Sequence, residues 1–186
     1  TDIDTDQIIP ARFLRATTRE GFGKNLFADW RYNADGSDNA GFVLNQPQAK
    51  GCAVLVGGRN FGCGSSREAA VYVLYDFGIR CVIASSFGDI HYGNELQNGM
   101  LPVMLPDAAC ATLRVQLHAN PGATVAVDLE AQKVSGPDGT VYPFDIDANA
   151  KERLLKGLDD IGLVMQYSKD IEAFEQRHAA AFPWLA

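Results

Sequence analysis

The sequence predicts an α/β fold in which parallel strands are joined by helices. Short apolar runs with the character of buried strands alternate with longer segments of helical spacing. The strands are expected at 52–58, 80–87 and 100–106, and the helices at 66–78, 87–99 and 107–122. Because this alternation is typical of parallel sheets with crossover helices, we expect a single domain over residues 1–186.

Turn signals mark the ends of these elements. Gly78 is a natural stop for the first of the helices, and Asn120-Pro121-Gly122 ends the third. Residues 124–144 alternate around glycines and prolines, which predicts two or three antiparallel strands. Closing helices are expected at 147–158 and 168–182.

The first part of the chain is less regular. Residues 4–14 predict a turn and then a short helix or extended piece broken by Pro10, and we expect a further strand before Thr1. Residues 15–46 show no period, and irregular segments of this length are commonly functional. We expect the part from Thr17 to Tyr32 to be mobile until a partner or ligand orders its aromatic side chains, which are Phe22, Phe27, Trp30 and Tyr32.

Composition excludes several classes of protein. The chain is 47% hydrophobic with a net charge of −7, which argues against a nucleic-acid-binding surface. No run of apolar residues reaches the length of a transmembrane helix. The four cysteines, Cys52, Cys63, Cys81 and Cys110, lack metal-site spacing, so free thiols in a reducing cytoplasm are expected, with no metal bound by this chain alone.

The segment "NFGCGSSREAA" (60–70) is the strongest candidate for a functional site. It follows a predicted strand and opens a predicted helix, where unpaired backbone N–H groups favour anions. Gly62 and Gly64 would let a carboxylate or phosphate approach the backbone. Arg67 in the first helical turn is explained if such an anion is bound there.

The residues of this segment do not fit three familiar ligand-binding or catalytic motifs. Arg67 stands where a dinucleotide fingerprint needs glycine, Cys63 where a Walker A motif needs lysine, and Glu68 where a nucleophile elbow needs glycine. A capping box with Ser65 as the cap and Glu68 reaching back remains an open alternative. It accounts for these two residues without any chemistry, but not for the glycines or Arg67.

Five motifs occur in order along nearly the whole chain: "DTDQIIPARFL", "GFGKNLFADWRY", "NFGCGSSREAA", "SSFGDIHYGNELQNGMLPV" and "DIGLVMQ". Together they closely resemble the small subunits of bacterial 3-isopropylmalate dehydratases, an aconitase-superfamily family of the leucine pathway. The resemblance implies a swivelling β/β/α three-layer domain, equivalent to the mobile fourth domain of aconitase.

The resemblance also implies roles for individual residues. Ser65 would be the base that removes a proton next to a carboxylate, and Ser66 and Arg67 would bind the carboxylate. Arg19, in the loop of about residues 15–46, would be a second carboxylate-binding cation, with a solvated loop arginine as the alternative. Asp6 would belong to the active site, with helix capping or a turn as the alternative.

Loop side chains are candidates for shaping the pocket for the isopropyl group. Phe22, Phe27 and Trp30 would be suitable, but Leu26 or residues of a partner would serve equally. The motifs therefore leave substrate preference open.

Partner and cofactor follow from the same resemblance. The family takes its 4Fe–4S cluster from a large subunit, so this chain would act only in a complex with that subunit, and Cys63 is not expected to be a ligand. Isomerisation would proceed by dehydration and rehydration of 2-isopropylmalate. Related hydro-lyases acting on citraconate, 2,3-dimethylmalate or homoaconitate, and an anion-binding module without chemistry, are the alternatives.

The cysteine spacing generates a first prediction. The purified chain alone should bind no iron and show no dehydratase activity, because no cysteine pair has the spacing of a cluster motif. Iron and sulfide analysis of the anaerobically reconstituted single chain is the measurement. Stoichiometric iron, or turnover without a large subunit, would contradict the expectation.

Overall fold

Helices and short strands alternate along the chain in this computed structural model, which describes residues 1–14 and 21–185. The strands are β1 (Val54–Val56), β2 (Cys81–Ala84), β3 (Leu101–Met104), β4 (Ala126–Asp128), β5 (Lys133–Ser135) and β6 (Val141–Pro143). The α-helices are α1 (Thr5–Ile8), α2 (Ala28–Arg31), α3 (Ala69–Phe77), α4 (Asp89–Gln97), α5 (Asp107–Ala119), α6 (Ala148–Lys156), α7 (Asp160–Met165) and α8 (Ser168–Ala181). Short 3₁₀ turns lie at Ala11–Phe13, Phe22–Asn25, Val43–Asn45, Pro47–Ala49 and Pro183–Leu185.

Two sheets confirm the mixed α/β prediction. β1, β2 and β3 are parallel and lie in that order, with Val82 of β2 opposite Leu55 and Pro102. α3 and α4 connect them in sequence, as the alternation of apolar runs predicts. β4, β5 and β6 form the expected antiparallel sheet, with Val134 opposite Val127 and Tyr142.

Alternate residues of β2 face two different cores, because side chains of a strand alternate between the faces of a sheet. Val82 and Ala84 belong to a core shared with α1 and α3, which includes the fully buried Ile8 and Leu74. Cys81 and Ile83 belong to a second core, which contains Leu113 of α5, Val134 of β5 and Phe144. The second core therefore joins the antiparallel sheet to the parallel one.

One helix begins later than the sequence predicts, and one helix was not predicted. α3 begins at Ala69, three residues later than expected, although Gly78 ends it in the left-handed conformation as predicted. α7 was not predicted, because Gly162 weakens the helical pattern. It forms with help from Asp159, whose carboxylate accepts a hydrogen bond of 2.7 Å from the backbone N–H of Gly162.

The expectation that loop aromatics lack a core until a partner arrives is wrong for two of them. Phe22 and Phe27 are 7% and 2% exposed and belong to the core beside α3. The backbone N–H of Gly23 donates a hydrogen bond of 2.6 Å to the Asp76 carboxylate. Trp30 stacks on Phe27 at a centroid distance of 5.5 Å but stays 37% exposed. Burial of apolar rings against α3 thus orders residues 21–31 within the chain itself.

The last two helices differ from the rest in their packing. Neither α8 nor the described side chains of α7 include a buried residue, and several large apolar side chains there are more than half exposed. These are Ile161, Val164, Met165, Tyr167, Phe174 and Trp184, which we call the C-terminal apolar surface. In the described part of the chain, no helix has both the length and the hydropathy needed to cross a bilayer.

Gly23 provides a test of how the loop is held. A Cβ at this position would lie 2.5 Å from the backbone nitrogen of Phe77, which is too close. We expect Gly23→Ala to destabilise the chain by about 1–3 kcal/mol, because backbone atoms cannot move aside as a flexible side chain can. Thermal unfolding of the purified chain is the measurement.

Gly93→Ala is the matched control for that substitution. Gly93 lies inside α4, and a Cβ there would meet no atom within 4 Å. This variant should be as stable as the parent or more stable by up to about 1 kcal/mol, because alanine favours the helix. Equal melting temperatures for both variants would show that the contact of Gly23 with α3 does not hold the loop.

Candidate functional site

An open cavity of about 250 Å³ lies at the segment that the sequence singles out. Its walls include Ser65, Ser66 and Arg67 from the turn before α3. Residues from elsewhere in the chain complete it, namely Thr5 of α1 and His91 of α4. The structure thus brings three of the predicted site residues together around one opening.

Backbone hydrogen bonds hold the turn from two sides. On one side, the N–H of Gly62 donates to the carbonyl of Ile3 at 2.7 Å, and the N–H of Thr5 donates to the carbonyl of Cys63 at 2.9 Å. On the other side, the N–H of Gly88 donates to the carbonyl of Phe61 at 2.9 Å. Because backbone groups make these bonds, the path of the turn does not depend on exposed side chains.

Thr5 adds a side-chain bond to the first serine of the turn. Its hydroxyl donates a hydrogen bond of 2.9 Å to the carbonyl oxygen of Ser65, and Thr5 is only 1% exposed. The sequence analysis missed Thr5, although it stands inside the "DTD" motif. Its position between two aspartates was the available signal.

Asp6 contacts Arg67 directly. An Arg67 guanidinium nitrogen and an Asp6 carboxylate oxygen form a hydrogen-bonded ion pair between residues 61 positions apart in sequence. The Arg67 side chain is 16% exposed, whereas that of Asp6 is 54% exposed. The capping alternative for Asp6 is wrong, because Asp4 caps α1 by accepting a bond from the N–H of Gln7.

The capping-box alternative for Ser65 is also wrong. Glu68, not Ser65, immediately precedes α3, and no side chain caps the start of this helix. Glu68 instead accepts a hydrogen bond of 3.1 Å from the side-chain amide of Asn98. Arg67 therefore lies before the first helical turn rather than inside it, and Ser65 and Ser66 are exposed at the cavity.

Glycine is required where the turn meets α4. Gly62 has φ +71°, and a Cβ there would lie 2.2 Å from the His91 ring. A Cβ on Gly88 would lie 2.7 Å from the carbonyl oxygen of Gly62. The turn therefore packs closely against the His91 ring and against the backbone of Gly88. Such close packing fixes the place at which the turn presents its N–H groups and hydroxyl groups.

Two titratable groups beneath the turn have shifted pKa values. Burial raises the pKa of the Cys63 thiol, and the nearby carboxylates of Asp4 and Asp2 raise it further. Burial also raises the pKa of Glu95, with an opposing effect from His91, whose Nε2 lies 2.9 Å from a Glu95 oxygen. The sequence analysis did not identify this pair, although a spacing of four residues on a predicted helix was visible.

The other predicted pocket residues are placed differently. Arg19 lies outside the described residues. Leu26, Phe22 and Phe27 are buried in the core and do not line the cavity, so the expectation that they shape it is wrong. Among the described residues, no three His, Cys, Asp or Glu side chains come together as metal ligands.

Comparison with known families divides the chain into three parts. Residues 1–108 match the family described as "Aconitase C-terminal domain". Residues 111–148 match "LeuD_N", and residues 160–186 match the C-terminal domain of the 3-isopropylmalate dehydratase small subunit. The cavity therefore lies wholly within the aconitase-type part.

Individual relatives cover nearly the whole chain. A "3-isopropylmalate dehydratase small subunit" of Dinoroseobacter shibae is 52% identical over 184 residues, covering 99% of this chain and 92% of the relative. The protein of the same name from Anaeromyxobacter dehalogenans is 53% identical over 174 residues, covering 94% and 89%. The crystal structure of a 3-isopropylmalate dehydratase (leuD) from Methanocaldococcus jannaschii has a TM-score of 0.65 and 27% identity, covering 94% of this chain and 92% of that one.

The fold and the cavity thus define an aconitase-type C-terminal domain with a cavity lined by two serines and an arginine. Within that class, the chain belongs to the family of 3-isopropylmalate dehydratase small subunits.

Proposed function

We propose that this chain is the small subunit of a 3-isopropylmalate dehydratase, a hydro-lyase of leucine biosynthesis that interconverts 2-isopropylmalate and 3-isopropylmalate. The observation that carries the proposal is the cavity formed by Ser65, Ser66 and Arg67 in a chain about half identical to proteins of that name over its full length. The names of these relatives favour this substrate over citraconate, 2,3-dimethylmalate or homoaconitate, and over a module without chemistry.

Ser65 has the role of the base in this proposal. Its hydroxyl group is carried by an exposed turn that lines the same cavity as Arg67, whose positive charge favours the oxyanion that removes a proton. Ser65 takes the proton from the carbon next to a substrate carboxylate, the bond between the neighbouring carbon and its hydroxyl group breaks, and the proton and the departing hydroxide together make up the water released. Addition of water to the resulting double bond in the opposite sense places the hydroxyl group on the other carbon. The bond from Thr5 to the Ser65 carbonyl keeps the serine backbone fixed during this step.

Arg67 and Ser66 bind the substrate carboxylate. Asp6 holds the guanidinium at the cavity in the free chain, and an arriving carboxylate adds a second anion to the same group. We propose that Arg19 contributes a second cation from the segment of about residues 15–46, which would bind the other carboxylate of the substrate. The whole chain would move as one swivelling domain that carries this site to the rest of the enzyme.

The large subunit is the proposed partner and the holder of the 4Fe–4S cluster. When present, that cluster supplies a Lewis acid for the departing hydroxyl group. The described residues of this chain offer no grouped ligands for it, and burial disfavours the thiolate form of Cys63. All four cysteines are free thiols, which supports a reducing, cytoplasmic setting for the complex.

The C-terminal apolar surface supports a partner on physical grounds. Trp184, Ile161 and Phe174 are 74%, 72% and 58% exposed, and large apolar side chains grouped in this way mark interaction sites. The surface lies within residues 160–186, the part whose match is specific to dehydratase small subunits rather than to aconitases. We propose that it is buried against the large subunit.

Substitution of Ser65 tests the catalytic assignment. In the complex with its large subunit, Ser65→Ala should lower kcat by about 10²–10⁴-fold with little change in KM, because a general base acts in the transition state. Arg67→Lys should instead raise KM by about 10-fold or more, because lysine cannot form a two-pronged clamp on a carboxylate. Steady-state kinetics with 2-isopropylmalate is the measurement.

The control for that experiment is Ser37→Ala, an exposed serine outside the cavity, which should leave kcat and KM unchanged. Ser65→Ala with normal turnover would remove Ser65 from the mechanism. If the parent complex does not turn over 2-isopropylmalate but does turn over citraconate or homoaconitate, the chain belongs to one of the related hydro-lyases instead.

Substitution of Phe174 tests the partner assignment. Phe174→Glu should weaken association with the large subunit by about 10-fold or more, because it places a charge in an apolar contact. The melting temperature of the single chain should be unchanged, since the ring is already exposed. Glu172→Gln, which changes an exposed polar side chain of the same helix, should associate normally. Equal affinity of the Phe174 variant and the parent in a titration would contradict the proposed contact.

A further inference from the structure

His91 and Glu95 form a pair of titratable side chains buried beneath the turn that carries Ser65. Their side chains are 1% and 0% exposed, and Nε2 of His91 lies 2.9 Å from Oε1 of Glu95. The His91 ring fills the space where a side chain at Gly62 would be, and its centroid lies 5.6 Å from that of Phe61. The pair therefore meets the backbone of the turn through the His91 ring.

The pair is not a well-satisfied structural element. Neither side-chain nitrogen of His91 and neither carboxylate oxygen of Glu95 has an aligned hydrogen-bond partner in the described part of the chain. Replacing such a buried pair by apolar side chains of similar volume is commonly neutral or stabilising. The stability of the core therefore does not explain why two ionisable groups occupy this place.

A buried pair of this kind tolerates only one state of protonation. With one proton between them, His91 and Glu95 are neutral overall, either as imidazolium with carboxylate or as imidazole with carboxylic acid. Loss of that proton leaves a buried carboxylate, and gain of a second leaves a buried imidazolium. Either unpaired charge is costly in the interior, so the surroundings must move or admit water.

We propose that His91 and Glu95 are positioning residues for Ser65: the singly protonated pair holds the Gly62 backbone in place, and a change of protonation displaces the turn. The link to Ser65 is short, because three residues separate it from Gly62 and the carbonyls of Cys63 and Ser65 are tied to Thr5. The catalytic consequence rests on the proposed function, whereas the coupling between pair and turn does not.

Other ionisable groups near the pair come from each neighbouring element. On β2, burial and the Glu95 charge raise the pKa of the Cys81 thiol far above its ordinary value. On α4 itself, burial raises the pKa of Tyr92, and Asp147 and Glu95 raise it further. Asp89 opens α4. Further ionisable groups near the turn are Cys63, with the carboxylates of Asp4 and Asp2 beside it, Glu68 of the segment before α3, and the Asp6–Arg67 ion pair.

Titration of the single chain by nuclear magnetic resonance tests the coupling without any partner. The ring protons of His91, which report on the pair, and the backbone amides of Gly62, Cys63 and Ser65 are followed in the same pH series. We expect the turn amides to shift at the same pH as the ring protons. Amides of the antiparallel sheet should not follow that midpoint.

The double variant His91→Phe/Glu95→Leu removes the pair and keeps a ring beside Gly62. We expect the turn amides to lose the shared midpoint. Asp6→Asn removes a carboxylate beside Arg67 and should leave that midpoint in place. The proposal is overturned if the chemical shifts of the turn amides do not change together with the His91 ring protons in the parent. It is also overturned if these amides still shift at the same pH in the double variant.

Glu95→Gln keeps the test decisive if the double variant does not fold. Glutamine cannot share a proton with His91, so the singly protonated pair is lost and the turn amides should no longer shift at the same pH as in the parent. An unchanged midpoint would refute the coupling. In the complex with the large subunit, the double variant should lose one limb of the pH profile of kcat/KM. If the parent complex does not turn over 2-isopropylmalate, the proposed function is refuted, but the titration result on the single chain still stands.

Discussion

The candidate site depends on a backbone clamp around residues 61–65. The N-terminal segment holds this stretch through Ile3 and Thr5, and the start of α4 holds it through Gly88. Each contact is a backbone hydrogen bond between segments far apart in sequence, and glycine at positions 62 and 88 permits the close approach. A site built in this way keeps its shape although its hydroxyl groups are exposed, because the rigid part is the main chain.

Local charge at this site opposes the charge of the whole chain. The net charge is −7, yet the proposed ligand is a dicarboxylate. Beyond a Debye length of about 8 Å at physiological salt, the general field is largely screened, so the nearest groups dominate. Arg67 is the described cation that lines the cavity, and Asp6 holds it there. Because the Asp6 side chain is 54% exposed, the contribution of this ion pair is the placement of a guanidinium rather than stability.

The chain divides into a well-packed body and an exposed end. The two cores surround the parallel sheet and include residues from α1 to Phe144, whereas α8 buries none of its residues. The rings of Phe22 and Phe27, which were expected to be buried only when a partner binds, are already buried in this body. A group of large apolar side chains that lack such cover lies at the other end of the chain, beyond Asp159. Partner-dependent order is thus better assigned to the last helices than to residues 21–31.

The sequence by itself determined the parallel strands, their connecting helices and the chemistry of the turn, because these depend on short-range apolar periodicity and on residue types. The tertiary structure decided where α3 begins, since the carbonyls of Cys63 and Ser65 are bonded to Thr5 and do not join the helix. It also decided that Asp6 meets Arg67 and that His91 fills the space left by Gly62. Contacts between residues tens of positions apart have no local signature, because only the closed fold brings their backbones together.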